Sequence, residues 1–381
     1  MHNIIQHLKG DRVIWYIVFM LSIFSLLAVY SSTGTLAYKY QSGNTEYYLM
    51  KHFMILMVGI GLMYLSHNIP YKYYSKVSQL LLYLALILLP LTYFLGSSIN
   101  EAKRWLVLPL TNITFQPSDL AKLALIMFLA RLLSKKQESI NDFKDTFLPI
   151  IGAVVVTCTL IAPSDLSTAV VLFGTSLLLM IIGRIKMKYI LYVVIAGTVV
   201  GSVVVGFGPR KATYKSRIEA FFKEEKGLTK HSYQSNQSKI AIATGGLFGK
   251  GPGKSTQRNF LPHPYSDFIY AIIIEEYGLL GGVTLLFLYL LLLYRGILIV
   301  IKSPRAYGAL LAIGLCLSIV IQALINMAVT VNLFPVTGLP LPLVSMGGTS
   351  VLFTCIAIGI ILSVSRNIEE LESSKTVNAV V

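Results

Sequence analysis

The sequence predicts an all-α polytopic membrane protein of about ten transmembrane helices, and three observations carry that prediction. Of its 381 residues, 55% are hydrophobic and only 13% are charged. A soluble domain carries about a quarter charged residues. Apolar runs long enough to span a bilayer recur from Val13 to Ser363. The cations behind the net charge of +15 gather in short loops between those runs, and no nucleic-acid module accompanies them, so nucleic acid is excluded as a partner.

At about 20 residues per span, the runs divide into helices near 13–31, 50–67, 77–95, 118–133, 147–162, 168–184, 187–207, 271–294, 296–325 and 348–365. The first run follows Lys9 and Arg12 as a signal sequence would. It is too long for a signal core and lacks a small-x-small cleavage site, so it is expected to stay as a span. Either Arg295 or the Lys302/Arg305 pair marks the turn between the eighth and ninth helices.

Alternate loops differ in charge. One set holds Lys9, Arg12, Lys72, Lys76, Arg131, Lys135, Lys136, Lys144, Arg184, Lys186, Lys188, Arg295, Lys302, Arg305 and Arg366. The short loops of the other set hold only Lys39, Lys51, Lys103 and Arg104. The positive-inside rule then places both termini in the cytoplasm and one large loop, about 208–267, outside, between helices 7 and 8. The chain reads as a single transmembrane domain over 1–366. A polar, acidic tail follows (367–381, with Glu369, Glu370 and Glu372) and is expected to be disordered and cytoplasmic. A bacterial inner membrane fits this topology. Cys158, Cys316 and Cys355 lie in apolar runs as unreactive thiols, and the six histidines lack metal-ligand spacing.

The distinctive polar segments all fall on the outer side. In Phe115-Gln116-Pro117-Ser118-Asp119-Leu120-Ala121-Lys122, Pro117 suits a first helical turn and Asp119 suits the positive end of the helix dipole. Asp119 and Lys122 read either as an i,i+3 pair that fixes the start of the helix or as part of an anionic-headgroup site with Arg104. Arg104 beside Trp105 reads alternatively as an interfacial anchor. Asp165, in a very short turn, is either a helix cap or a functional carboxylate.

In the long loop, 214–222 with Arg217 has the look of an amphipathic helix at the interface. The run Gly245-Gly246-Leu247-Phe248-Gly249-Lys250-Gly251-Pro252-Gly253-Lys254-Ser255 is either a flexible solvated loop or a backbone nest for an anion; it is not a Walker A loop. The sharpest candidate is Asp267, a carboxylate between the basic loop and an apolar run, where an ionisable group is costly. Its bland alternative is a helix cap. Glu275 lies about 12 Å further along a helix, too far to form a carboxylate pair, so Glu275 and Glu276 are expected to hold the eighth helix in place. The uncharged 333–350 segment, with three prolines and three glycines, reads as a re-entrant lip beside a lipid groove or as a structural plug.

Together these segments closely resemble the SEDS family, the group of FtsW, RodA and SpoVE. The resemblance rests on Arg104-Trp105, 115–122, 245–251, Asp267-Phe268-Ile269 with Glu275-Glu276, and Gly338-Leu339-Pro340-Leu341-Pro342, all in the family's order. Gly251–Ser255 and Asn326 through Gly338 are more like the FtsW branch than the RodA branch. Asp119 stands where the family usually has Glu, Met346 where Tyr is usual, and Tyr265-Ser266 where a His-Thr pair is frequent.

The resemblance implies an inverting peptidoglycan glycosyltransferase that polymerises lipid II at the outer face of the cytoplasmic membrane and releases undecaprenyl pyrophosphate. It also implies a class B penicillin-binding protein as transpeptidase partner, among other divisome proteins. Inversion asks for one base, here Asp267, and for cations to stabilise a leaving pyrophosphate. Arg104, Lys122, Arg217 and Lys250 are the cations so implied, with Asp119, Gln116 and Ser345 as further substrate-binding residues. A divalent cation, Mg or Mn, is left open as a cofactor. An elongation-type polymerase, a lipid II flippase and a division scaffold are the alternatives; neither an inverted repeat nor a mid-depth charge pair in matched helices favours transport.

Overall fold

The computed structural model describes residues 9–99, 102–107, 114–140, 142–208, 210–222 and 230–380. Residues 223–229 of the long loop and Val381 of the tail lie outside them. Thirteen α-helices are named here in chain order. They are α1 Arg12–Ser32, α2 Gly34–Tyr40, α3 Thr45–Asn68, α4 Tyr71–Leu95, α5 Pro117–Lys135, α6 Leu148–Ile161 and α7 Leu166–Ile182. The chain continues with α8 Met187–Phe207, α9 Lys211–Phe222, α10 Lys230–Gly245, α11 Ile269–Lys302, α12 Ala306–Thr330 and α13 Thr349–Val380. Three short antiparallel strands, β1 Ser97–Ile99, β2 Ala102–Val107 and β3 Thr114–Phe115, form one small sheet that leads into α5.

Among the described residues, eight helices are long and apolar enough to cross a membrane: α1, α3, α4, α8, α11, α12, Phe143–Ile161 (α6 with the π turn before it) and the apolar part of α13. The two remaining expected spans are α7, which is apolar but has 17 residues, and α5, which carries Asp119, Lys122, Arg131 and Lys135. Burial explains why a charged helix is tolerated. From Leu120 to Leu133 almost every apolar side chain of α5 is buried, and α4, α12, α6 and α7 pack around it. Asp119 and Lys122 of this central helix face protein rather than lipid.

The ten predicted spans appear as α1, α3–α8 and α11–α13, with two differences. The turn between α11 and α12 is Ser303–Arg305, not Arg295. Arg295 sits inside α11 because Asp11 neutralises it, with Nη2 to Oδ2 at 2.6 Å and Nε to Oδ2 at 2.7 Å. The tail is also not unstructured over its described part, since α13 continues to Val380. Lys9 pairs with Glu370 and the Gly10 amide with Glu369, Lys302 at the end of α11 pairs with Glu372, and Arg366 pairs with Glu370 one turn on, so the acidic turn lies beside the N-terminal residues and the end of α11.

The main core joins α1, α3–α8 and α11–α13. A small satellite core of Ala241, Leu261, Phe268, Ala271 and Ile272, flanked by Val336, sits at the end that carries Asp267. It packs the start of α11 against α10 and the long loop. The thiols of Cys158, Cys316 and Cys355 are all free.

Candidate active site

Residues 331–348 contain no helix. Irregular backbone at this depth is stable only where its polar groups find partners inside the protein. Side chains from several helices supply them. Gln322 Nε2 donates to Pro340 O (2.9 Å), Asn326 Nδ2 to Leu339 O (2.7 Å) and Tyr289 Oη to Pro342 O (2.5 Å). Ser25 Oγ, itself hydrogen-bonded to His52 Nε2 at 2.6 Å, donates to Val344 O (2.9 Å). The segment is therefore a rigid shelf.

Asp267 lies beside this shelf. The backbone stitches the two together: Asn326 Nδ2 also donates to Asp267 O (3.0 Å), Met346 N donates to Tyr265 O (2.9 Å), and Ser345 Oγ donates to Ser266 O (2.6 Å). Gly338 has φ +76°, and a Cβ there would stand 3.5 Å from Asp267 Oδ2. The bare glycine thus keeps the space beside the carboxylate open.

The cap alternative for Asp267 does not hold. Phe268 is the N-cap of α11 and the helix has no side-chain cap. The Asp267 carboxylate instead accepts the Ser266 hydroxyl at 2.9 Å. Burial pushes its pKa up from the ordinary carboxylate value; Ser266, His263, Arg104 and Arg217 pull it back in part. A half-buried carboxyl with raised proton affinity, within electrostatic reach of two guanidiniums, has the properties of a general base.

The guanidiniums come from separate elements. Arg104, on β2, donates from Nε to Ser164 O (2.9 Å) and pairs with Asp165 Oδ2 (3.1 Å). Arg210 Nη1 reaches the same Ser164 carbonyl at 2.9 Å. Arg217 Nη1, on α9, donates to Thr337 O at 3.2 Å, and its buried Nε has no partner. Burial, then the nearby Arg104 and Arg210, lower the Arg217 pKa. Three cations held this close face mutual repulsion that only anions relieve, and Asp165 and Asp267 are the anions that act on Arg217. Asp165 satisfies both of its readings, capping α7 through the Thr168 amide (3.1 Å) while pairing with Arg104. The expected interfacial helix is α9, but it turns Tyr214 and Arg217 into the protein, with Tyr214 Oη on Ala162 O at 3.3 Å.

A groove of about 320 Å³ opens next to Arg104, lined by Leu89, Pro90, Phe94, Pro117 and Leu160 among others. Its lining is mostly apolar and includes the Arg104 cation, which suits an anionic headgroup on a hydrocarbon tail.

The other expected site residues separate into internal roles. Lys122 pairs with Asp119 at 2.8 Å and donates to Gln322 Oε1 at 3.1 Å, so the i,i+3 reading holds. Asp119 Oδ2 stays buried without a partner. Both residues line a cavity of about 40 Å³ inside the helix bundle. Gln116 Nε2 binds Ser118 Oγ at 2.9 Å at the head of α5. Ser345 is 1% exposed, and its hydroxyl is taken up by Ser266 O and the Leu341 amide (2.8 Å), so it braces the site rather than facing it. Lys250 does not join the arginines. It pairs with Glu275 at 2.5 Å, one of several donors that stabilise that buried carboxylate.

Two site residues escaped the sequence reading. Arg210 follows α8 directly, and its position just beyond a span was the available signal. Gln322 is an amide in the middle of an apolar run, a pattern that marks an internal partner.

Residues 11–370 match the cell cycle protein family that groups FtsW, RodA and SpoVE. Stage V sporulation protein E of Bacillus subtilis (strain 168) is 33% identical over 363 residues, covering 93% of this chain and 97% of that protein. A probable peptidoglycan glycosyltransferase FtsW of Trichlorobacter lovleyi is 32% identical over 364 residues, 94% of each chain. The fold is similar to that of the rod shape determining protein RodA of Thermus thermophilus (TM-score 0.69, 24% identity, 95% of this chain and 98% of that one). A solved peptidoglycan synthase complex, described as coordinating polymerization and crosslinking, contains a chain similar at TM-score 0.71 and 24% identity, over 94% of this chain and 98% of that one. A match over nearly the whole length, carried by both sequence and fold, makes this chain a member of the FtsW/RodA/SpoVE family.

Proposed function

We propose that this chain is a peptidoglycan glycosyltransferase that polymerises lipid II. One observation carries the reading: Asp267, with its raised proton affinity, stands within the field of Arg104 and Arg217, and Arg104 also opens on an apolar groove. In the proposed step Asp267 takes the proton of an acceptor sugar hydroxyl as its oxygen bonds to the donor's anomeric carbon. The bond from that carbon to the phosphate oxygen breaks on the opposite face, and the pyrophosphate leaves as an anion that Arg104, Arg210 and Arg217 stabilise. A good anionic leaving group needs no acid, so one base suffices.

Mg or Mn does not fit as a protein-held cofactor here. Ser266, His263, Arg104 and Arg217 are the groups that act on Asp267, and among the described residues no cluster of three or more His, Cys, Asp or Glu forms.

The distribution of loop cations supports a site on the outer face of the cytoplasmic membrane. The similar chain in a complex that couples polymerization to crosslinking supports a transpeptidase partner of the class B penicillin-binding type. Relatives named FtsW support a septal role. Depletion that gives filaments agrees with that role, and round cells would assign elongation instead.

The deciding experiment is Asp267→Asn in purified full-length protein with lipid II in detergent. Polymerisation is expected to fall by about 10²–10⁴-fold while lipid II binding persists. Polymer formed in detergent by the wild type excludes a flippase, which needs two compartments. Wild-type rates from a folded Asp267→Asn protein would remove Asp267 from the chemistry.

A further inference from the structure

Lys250 of the glycine-rich segment and residues 255–257 at its end close around one of the protein's own carboxylates. Glu275 is 0% exposed. It accepts five hydrogen bonds: Lys250 Nζ (2.5 Å), Ser255 Oγ (2.5 Å), Thr256 Oγ1 (2.8 Å), Thr256 N (3.1 Å) and Gln257 N (3.2 Å). Its neighbour Glu276, 1% exposed, accepts the Ser255 amide at 3.1 Å and the Ser31 hydroxyl from α1.

The same segment repairs a break in α11. Gly278 has φ 70° and ψ −172°, which interrupts the helix. The loop meets the broken backbone from both sides. Lys250 N donates to Glu275 O and Gly251 N to Glu276 O, each at 2.9 Å. Leu279 N and Leu280 N donate back to Gly246 O (2.9 Å) and Leu247 O (3.3 Å). Gly249 and Gly278 make this close approach possible, since a Cβ on either would stand 2.2 Å from the other segment's carbonyl oxygen. The break leaves a half-helix, Ile269–Tyr277, that begins two residues after Asp267 and ends on this loop.

We infer that Glu275 is a positioning residue for the polymerisation reaction: by locking loop 249–257 onto the half-helix, it fixes where Asp267 stands. The inference rests on the reading of Asp267 as the base. A buried carboxylate held by five donors, two of them backbone amides, is a stiff anchor. Gln has the same shape, but its NH2 would oppose those donors and leave Lys250 without a counter-charge.

The test uses the purified full-length protein with lipid II in detergent, together with hydrogen exchange of the 255–257 amides. Glu275→Gln is expected to lower kcat by about 100-fold, the scale of an ångström-level misplacement. KM for lipid II should stay within about threefold, since no binding group is removed, and the three amides should exchange faster. Lys250→Met should lower kcat less, because the amides still hold Glu275, and leave KM unchanged. If Glu275→Gln does not accumulate, Thr256→Val, which deletes one hydroxyl donor, should give the same kcat-only loss at smaller size.

Wild-type kcat in Glu275→Gln, or in Thr256→Val where that variant replaces it, would overturn the inference. So would a raised KM in Lys250→Met with unchanged amide protection, which would make Lys250 a substrate cation and Glu275 its counter-ion. Failure of the base reading is separately visible: Asp267→Asn would stay active, while the exchange data would still report the lock.

Discussion

Asn326 offers a sharp perturbation because one amide joins both halves of the site. Its Nδ2 donates to Asp267 O at 3.0 Å and to Leu339 O at 2.7 Å, and the residue is 1% exposed. Asn326→Ala removes both bonds and leaves two carbonyls facing a new void. Helix-buried polar contacts in membrane proteins contribute about 0.6–1.7 kcal/mol each, so the pair amounts to about 1–3 kcal/mol. Releasing Asp267 from the shelf should also move it relative to the arginines, and displacement on the ångström scale costs about 100-fold in rate. Two assays follow: thermal unfolding in detergent, and lipid II polymerisation below the melting range. Asn326→Ala should melt lower and polymerise slowly at a near-normal KM. A variant that melts and polymerises like the wild type would refute the idea that this amide holds the site together.

Three further outcomes are expected. Polymerisation should fall as pH drops through the raised pKa of Asp267, since the protonated acid cannot take a hydroxyl proton. Its folded pKa exceeds its unfolded one, so its contribution to stability grows as pH falls; a rate loss with no loss of melting temperature separates titration from unfolding. Gly278→Ala places a Cβ 2.2 Å from Leu247 O in a backbone conformation that disfavours side chains, so it should cost at least about 1–3 kcal/mol and lower the yield of folded protein. Arg104→Lys keeps the charge but loses the two-point grip on Ser164 and Asp165, so KM for lipid II should rise; an unchanged KM would make Arg104 an architectural residue.

Much of this fold was legible because lipid imposes length and apolarity on each span, and α8 was bounded to the residue by that rule alone. Boundaries slipped where charges were matched inside the protein. Arg295 read as a loop residue because its partner, Asp11, lies 284 positions away. The acidic tail read as disordered because Lys9 and Lys302 cannot be paired with it from sequence. In the site, Asp267, Arg104 and Arg217 carried their own signal as ionisable groups at a membrane boundary. Lys250 read as a pyrophosphate cation because a lysine beside glycines looks the same whether it awaits a phosphate or pairs with a carboxylate supplied by a distant helix. The break at Gly278 was hidden as well, since apolar residues continue on both sides of it.

The shelf beside Asp267 has a consequence for anyone exchanging parts between relatives. Its carbonyls at Leu339, Pro340, Pro342 and Val344 are claimed by Asn326, Gln322, Tyr289 and Ser25, which belong to α12, α11 and α1. The proline-rich stretch thus owns little of its own shape. Grafted alone into another scaffold it would arrive without its fastenings; moved together with those four anchors, it should keep its contour and carry the Asp267 corner with it.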